Sequence, residues 1–217
     1  MYEMHQNFSV DNMRGVISHA LAELNQEDMA FLFASGKSEL EIRNQIALHL
    51  NRELKYPKMV TREWKRHDLV IFDNEKPILV IEGKAWIHAD VVSPKKLKVG
   101  KTSILHALKA DIKKMKETSA KHPRIRQYIT IVLSTTDVLD PFAPDEAKRL
   151  IKYGSTHKRG LVKFKSLLEL QDTANQEMSK LLDKYGNHMW LPIVSSQCNG
   201  MRVVADIFIL EVKPKRK

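Results

Sequence analysis

Asp68, Glu82 and Lys84 are the residues of this chain whose types and spacing could do chemistry. They bracket two apolar runs, Leu69-Val-Ile-Phe72 and Ile78-Leu-Val-Ile81, separated by the turn-forming stretch Asp73-Asn74-Glu75-Lys76. An antiparallel hairpin turning near Glu75 sets Asp68 across from Glu82. Glu82 and Lys84, two residues apart, share one face of their strand. Charged groups beside such apolar strands are costly unless they are paired or bind a metal. Two facing carboxylates repel, and a divalent cation offsets the repulsion. Hard oxygen ligands with room for water suit Mg²⁺. A cation so held polarises a phosphoryl oxygen and helps generate hydroxide from water. A nearby lysine orients that water or stabilises charge in the transition state. The competing interpretation is an edge hairpin whose acids and lysine form a surface ion pair. The continuous apolar character of both strands, which predicts burial on both faces, speaks against it.

The elements that must position these residues follow from the patterning. The first part of the chain is helical, with helices expected over Asp11–Leu24, over Gln26–Ala34 with a stop at Gly36, and over Ser38–Leu54 before Pro57. Ser38-Glu39-Leu40-Glu41 fits a capping box, with Glu41 reaching back to the helix start. Strands are expected over Val60–Phe72 and Pro77–Trp86. A helix over Ser103–Thr118 follows, with Ile104, Leu108, Ile112 and Met115 as its apolar stripe and Lys109, Lys113 and Lys116 opposite. Arg126–Ser134 reads as a buried strand. Pro144–Tyr153 reads as a short helix, Leu161–Phe164 as a strand and Leu167–Tyr185 as a longer helix. Trp190–Ser195 and Met201–Val212 form a second hairpin turning near Asn199-Gly200. The result is an α/β architecture, a mixed central sheet flanked by helices, with an N-terminal helical segment (1–37), a core (38–135) and C-terminal helices and hairpin (136–217) in one domain.

With this order of helix, hairpin, helix and strand, the segment from Ser38 to Ser134 resembles the PD-(D/E)xK nuclease superfamily, the restriction-endonuclease-like proteins. Asp68 matches the first acidic position and Glu82-x-Lys84 the second half of the motif. His67 stands where the named motif has proline. The resemblance implies Asp68 and Glu82 as metal ligands, Lys84 as the catalytic lysine, and Mg²⁺ as cofactor with Mn²⁺ as a substitute. It implies a metal-dependent endodeoxyribonuclease hydrolysing DNA, of restriction or defence type. A non-cleaving nucleic-acid-binding protein and an RNA-directed nuclease are the alternatives. Members often add a glutamate from the preceding helix. Glu39 lies on the helix face defined by Ile42, Ile46, Ala47, Leu50 and Leu54, whereas Glu41 points nearly the opposite way, so Glu39 is the third acidic candidate. Its bland alternative is an exposed pair with Arg43.

Composition sets the outer bounds. Hydrophobic residues make up 43% of the 217, which excludes a disordered chain. No apolar stretch is long enough to span a membrane. Met1–His5 carries no secretory signal, and the single cysteine, Cys198, cannot form an intrachain disulfide, so an intracellular, cytoplasmic setting is expected. Lys and Arg outnumber Asp and Glu by 36 to 26. Eight lysines and one aspartate fall between Ser93 and Lys116. Lys95, Lys96, Lys98 and Lys101, in the connection after the Glu82–Lys84 strand, are the candidates for contacts to DNA phosphates. A homodimer is one assembly the sequence leaves open. Glu211-Val-Lys213 is a second Glu-x-Lys with Asp206 before it, but the odd separation of Asp206 and Glu211 puts them on opposite strand faces. Gly100-Lys101-Thr102 lacks the first glycine of a phosphate-binding loop. Tyr56, Trp64 and Trp86 read as core or rim residues.

Overall fold

The computed structural model describes residues 8–35, 38–138, 163–198 and 201–213. Helix α1 (Val10–Ala22) starts at Ser9, whose hydroxyl accepts from the Asn12 backbone N–H. Helices α2 (Gln26–Ser35) and α3 (Ser38–Glu53) follow, with Ile42, Ile46, Ala47 and Leu50 of α3 buried as its periodicity requires. Ser38 is the first residue of α3 rather than its cap. Glu41 accepts a side-chain hydrogen bond from Gln45 at 2.8 Å.

The stretch expected as one strand over Val60–Phe72 is two. Strand β1 (Lys58–Trp64) turns at Lys65-Arg66 into β2 (His67–Asp73). Both turn residues have positive φ, 47° and 70°. A two-residue hairpin turn needs that conformation and usually signals itself with Asn-Gly or Asp-Gly, so Lys-Arg hid it. Strand β3 (Lys76–Ile87) then pairs with β2 in the expected register, Leu69 opposite Ile81 and Val70 opposite Val80. The connection expected as a basic loop contains two short helices, α4 (His88–Val91) and α5 (Pro94–Lys98). Helix α6 (Ile104–Lys121), capped by Ser103, leads to β4 (Arg126–Val138). Helix α7 (Leu167–Leu182) precedes the hairpin of β5 (His188–Cys198) and β6 (Met201–Glu211). Lys163 and Phe164 lie in a turn, not a strand. The helix expected at Pro144–Tyr153, the Asn199-Gly200 turn and the end of the basic tail lie outside the described residues.

The six strands form one sheet in the order β1-β2-β3-β4-β6-β5. Among the described strand pairs only β3 and β4 run parallel, joined by a crossover through α6. This is a mixed sheet with N-terminal helices and a C-terminal hairpin. One core lies on the α1–α3 face, where Leu69, Ile71, Leu79 and Ile81 meet Ile42, Ile46 and Leu50. The other lies on the α6 and α7 face, where Val70, Val80, Ile129 and Ile131 meet Leu108, Met115 and Met178. Both faces are covered, which explains the unbroken apolar runs. Among the described residues, no helix is long and apolar enough to cross a membrane.

A buried polar knot holds the C-terminal part to the sheet. Asp206 on β6 is wholly buried. It accepts from Trp190 of β5 at 2.7 Å, Gln171 of α7 at 2.8 Å and the His88 ring of α4 at 3.0 Å. The other His88 nitrogen meets Thr135 of β4 at 2.9 Å. Burial alone pushes the Asp206 carboxyl up, but the hydrogen bonds and charge of His88, with donation from Gln171 and Trp190, outweigh it and hold the group below its ordinary value. A depressed carboxyl contributes stability that is full above its unfolded pKa of about 4 and is lost as pH falls through the folded value. Asp206→Asn is therefore expected to lower stability at pH 7 and to flatten the acid limb of the stability profile, followed by urea unfolding from pH 7 to pH 3. A variant with the wild-type acid limb would remove Asp206 as the responsible group.

Candidate functional site

From Leu79 onward strand β3 alternates; before it, Ile78 falls at a bulge in the β2–β3 pairing and packs on the same core as Leu79. Leu79, Ile81 and Ala85 pack on the α3 side, and Val80 and Trp86 on the α6 side. Glu82 and Lys84 therefore face α6, and Gly83 faces α3. Strand β2 follows the same rule from Leu69 to Phe72 and breaks it at its start. Alternation would put Asp68 with Val70, on the side of Glu82. Instead the Asp68 Oδ2 accepts from the Gly83 backbone N–H at 2.7 Å, and Oδ1 lies 3.9 Å from the Arg43 guanidinium of α3. His67 takes the α6 side, with Nδ1 2.6 Å from Glu82 Oε1 and Nε2 2.8 Å from the Thr118 hydroxyl.

The break has a local cause. The β2–β3 pairing stops at Leu69 and Ile81, so Asp68 and His67 are free of that ladder. On the other side Arg62 pairs with Leu69 and Trp64 with His67, and the intervening Glu63 has φ of 60°. A non-glycine residue in that region twists the strand locally. Trp64 then lies over the His67 ring, with centroids 6.3 Å apart.

Two groups result. On the α3 side, a β-carbon at Gly83 would lie 3.7 Å from Asp68 Oδ2 and 3.8 Å from Glu39 Cβ. The bare Gly83 backbone thus lies between the Asp68 carboxylate and the Cβ and backbone of Glu39, the helix face assigned to Glu39 being the one that meets the sheet. Arg43 pairs with Glu63 at 2.9 Å, while Glu41 lines a groove with Asn44, Leu48 and Arg62.

On the α6 side, Glu82 is 1% exposed. Its Oε2 meets the Lys114 ammonium at 2.7 Å. Lys114 also donates to the Arg66 carbonyl at 2.9 Å and lies 3.7 Å from Asp111. Lys84 reaches Asp111 at 2.9 Å and donates to its neighbour's carbonyl, Gly83 O, at 3.1 Å. Glu82 and Asp111 are thereby matched by Lys84 and Lys114, as buried charges require.

The hairpin register brings Asp68, Glu82 and Lys84 to one stretch of β3, the packing of α3 adds Glu39 there, and the side chains divide between its two faces. Sequence reasoning passed over Asp111 and Lys114. Asp111 carried a usable signal, an acid inside the apolar stripe between Leu108 and Ile112. Lys114 is masked by its lysine neighbours. His67 registered only as a departure from proline. Lys95, Lys96 and Lys98 ride on α5, which is anchored by buried Leu97, and Lys101 follows in a turn; all four are exposed. Burial raises the Asp90 carboxyl above its ordinary value, and the charge of Lys96 partly counters this.

As a cation ligand, Asp68 fits: it is a partly exposed carboxylate whose Oδ1, among the described residues, meets only Arg43, at 3.9 Å. Glu82 does not fit in this arrangement, because His67 and Lys114 take both of its oxygens. Among the described residues, no group of three or more His, Cys, Asp or Glu is placed to hold a metal ion. No protein-family model matches the chain, and no curated protein or solved structure was found to match it. The α/β arrangement is compatible with the PD-(D/E)xK superfamily and is not specific to it, since such architectures host many unrelated functions.

Removing one partner of a buried ion pair leaves the other charge uncompensated. Lys114→Met is expected to cost about 3 kcal/mol, and Glu82→Gln combined with it is expected to recover much of that loss. Urea unfolding of the single and double variants tests the coupling. Additive losses would show that the pair does not stabilise the fold as a unit.

Proposed function

We propose that this chain is a metal-dependent nuclease acting on DNA phosphodiester bonds, with the Glu82-Gly83-Lys84 segment of β3 at the centre of its site. The observation that carries this reading is the position of the Asp68 carboxylate on the Gly83 backbone, between the motif's acid and its lysine, with the first turn of α3 at Glu39 packed against the same glycine. Asp68 holds Mg²⁺ or Mn²⁺, with Glu39 beside it as the second acid on that face. One or two carboxylates plus water suffice for Mg²⁺. When bound, the cation polarises a phosphoryl oxygen and lowers the pKa of water. Lys84, on the opposite face of β3 from Asp68 and tied to Asp111, supplies positive charge only to a phosphate that reaches the α6 side of the strand. Glu82 joins as a ligand only where Lys114 withdraws from it. Until then it holds His67 and Lys114 in place. Lys95, Lys96, Lys98 and Lys101 position the DNA through its phosphates without reading sequence.

The engagement of Glu82 by His67 and Lys114 favours a second reading, a protein that binds nucleic acid on this scaffold and does not cut it. Supercoiled plasmid incubated with Mg²⁺, with Mn²⁺ and with EDTA separates the two. The nuclease reading expects nicked and linear products with either metal and none in EDTA. It further expects Asp68→Asn and Glu39→Gln to reduce cleavage by about a hundredfold or more, the scale of losing a metal's contribution, while DNA binding persists. Lys84→Ala is expected to slow cleavage and leave cation binding, measured by calorimetry, unchanged. Intact plasmid under every metal condition, with binding retained, establishes the second reading. Wild-type cleavage by Asp68→Asn removes the site assignment.

A further inference from the structure

We propose that the groove between α6 and the C-terminal end of α7 binds single-stranded nucleic acid. The groove has a volume of about 560 Å³, and its rim carries Lys109, Lys113 and Lys116. These lysines stand at i, i+4 and i+7, so all three share one face of α6. At 1.5 Å per residue they mark out about 10 Å of helix. All three are exposed, and none forms an ion pair within the described residues. Glu117 is the one acid in the lining. The floor is apolar: Ile112, Ala120 and the ring of Tyr185, which packs against the α6–α7 core. Burial raises the Tyr185 phenol above its ordinary value, so the ring is neutral at physiological pH.

The combination selects the ligand. A small free anion needs converging donors, and these ammonium groups are spread along a helix. A duplex presents phosphates but keeps its bases stacked inside, which leaves the apolar floor unused. A single strand offers both a row of phosphates for the lysines and flat unpaired bases for Tyr185 and Ile112. Cationic grooves with aromatic platforms bind single strands in this way. The groove lies on the solvent side of the helix whose other face carries Asp111 and Lys114, and its binding does not depend on cleavage.

The test is fluorescence anisotropy with a labelled twelve-nucleotide oligothymidylate, in EDTA, across a series of NaCl concentrations. The triple variant Lys109→Ala/Lys113→Ala/Lys116→Ala is expected to lower the slope of log affinity against log salt by about 2, at roughly 0.7 per phosphate contact. Tyr185→Leu is expected to weaken binding about fivefold or more, and Tyr185→Phe to bind as the wild type does. Thermal unfolding confirms that the Tyr185 variants are folded. Measuring in EDTA, where metal-dependent cleavage does not occur, keeps this result separate from the fate of the nuclease reading. An unchanged salt slope in the triple variant overturns the proposal. So does wild-type affinity in folded Tyr185→Leu.

Discussion

The carboxylate of Glu82 is the group around which this structure is arranged. It lies in the third strand of a six-stranded sheet, with apolar neighbours on both flanks. An unpaired carboxylate there would neutralise or unfold its surroundings. His67 and Lys114 compensate it, and each makes a demand on the fold. His67 reaches it because the start of β2 leaves the normal alternation. Lys114 reaches it because α6 packs against that face of the sheet, its own ammonium further fixed by the Arg66 carbonyl. The β1–β2 turn, the start of β2 and the middle of α6 are thus bound to one buried charge. The position of Asp68 on the opposite face is a direct result of the same local twist.

Patterning made most of the architecture legible. The α3 stripe, the β2–β3 register, the α6 stripe and the C-terminal hairpin all follow from periodicities that survive tertiary packing, because each has a single apolar face or a fully buried run. The β1–β2 turn was not legible, since its positive-φ positions are occupied by Lys65 and Arg66 rather than Asn or Gly. Helix α5 was hidden by the density of lysine around its one buried side chain, Leu97. At the site, spacing correctly placed Glu82 and Lys84 on a common face. It could not reveal which way Asp68 turns. Strand alternation is a rule for paired residues, and Asp68 lies just beyond the last β2–β3 pair.

A second histidine repeats the arrangement of the first. His67 lies between Glu82 and the Thr118 hydroxyl, and His88 between Asp206 and the Thr135 hydroxyl. Each joins a helix to the sheet through a buried acid, one at each half of the sheet. Fully satisfied polar groups of this kind rigidify the elements they join, since any slippage leaves a charge unpaired in a low-dielectric setting. The candidate site at β3 therefore lies on a scaffold whose relative positions are fixed by charge as well as by shape.

Strand order carries a consequence for how the chain assembles. Strand β6 comes last in sequence among the strands, yet it lies inside the sheet, between β4 and β5, with nearly every residue buried. During synthesis from the N-terminus, β4 must wait with one edge open until the β5–β6 hairpin emerges. Contacts across so long a stretch of chain are slow to form, because loop closure precedes the gain from pairing. The open edge of β4, Ile129-Thr-Ile-Val-Leu133, is buried in the finished fold and almost wholly apolar, and unpaired apolar edges invite association with other chains. The growing chain is thus most exposed to aggregation in the interval between completion of β4 and arrival of β6, and this vulnerability is set by topology rather than by the stability of the finished fold.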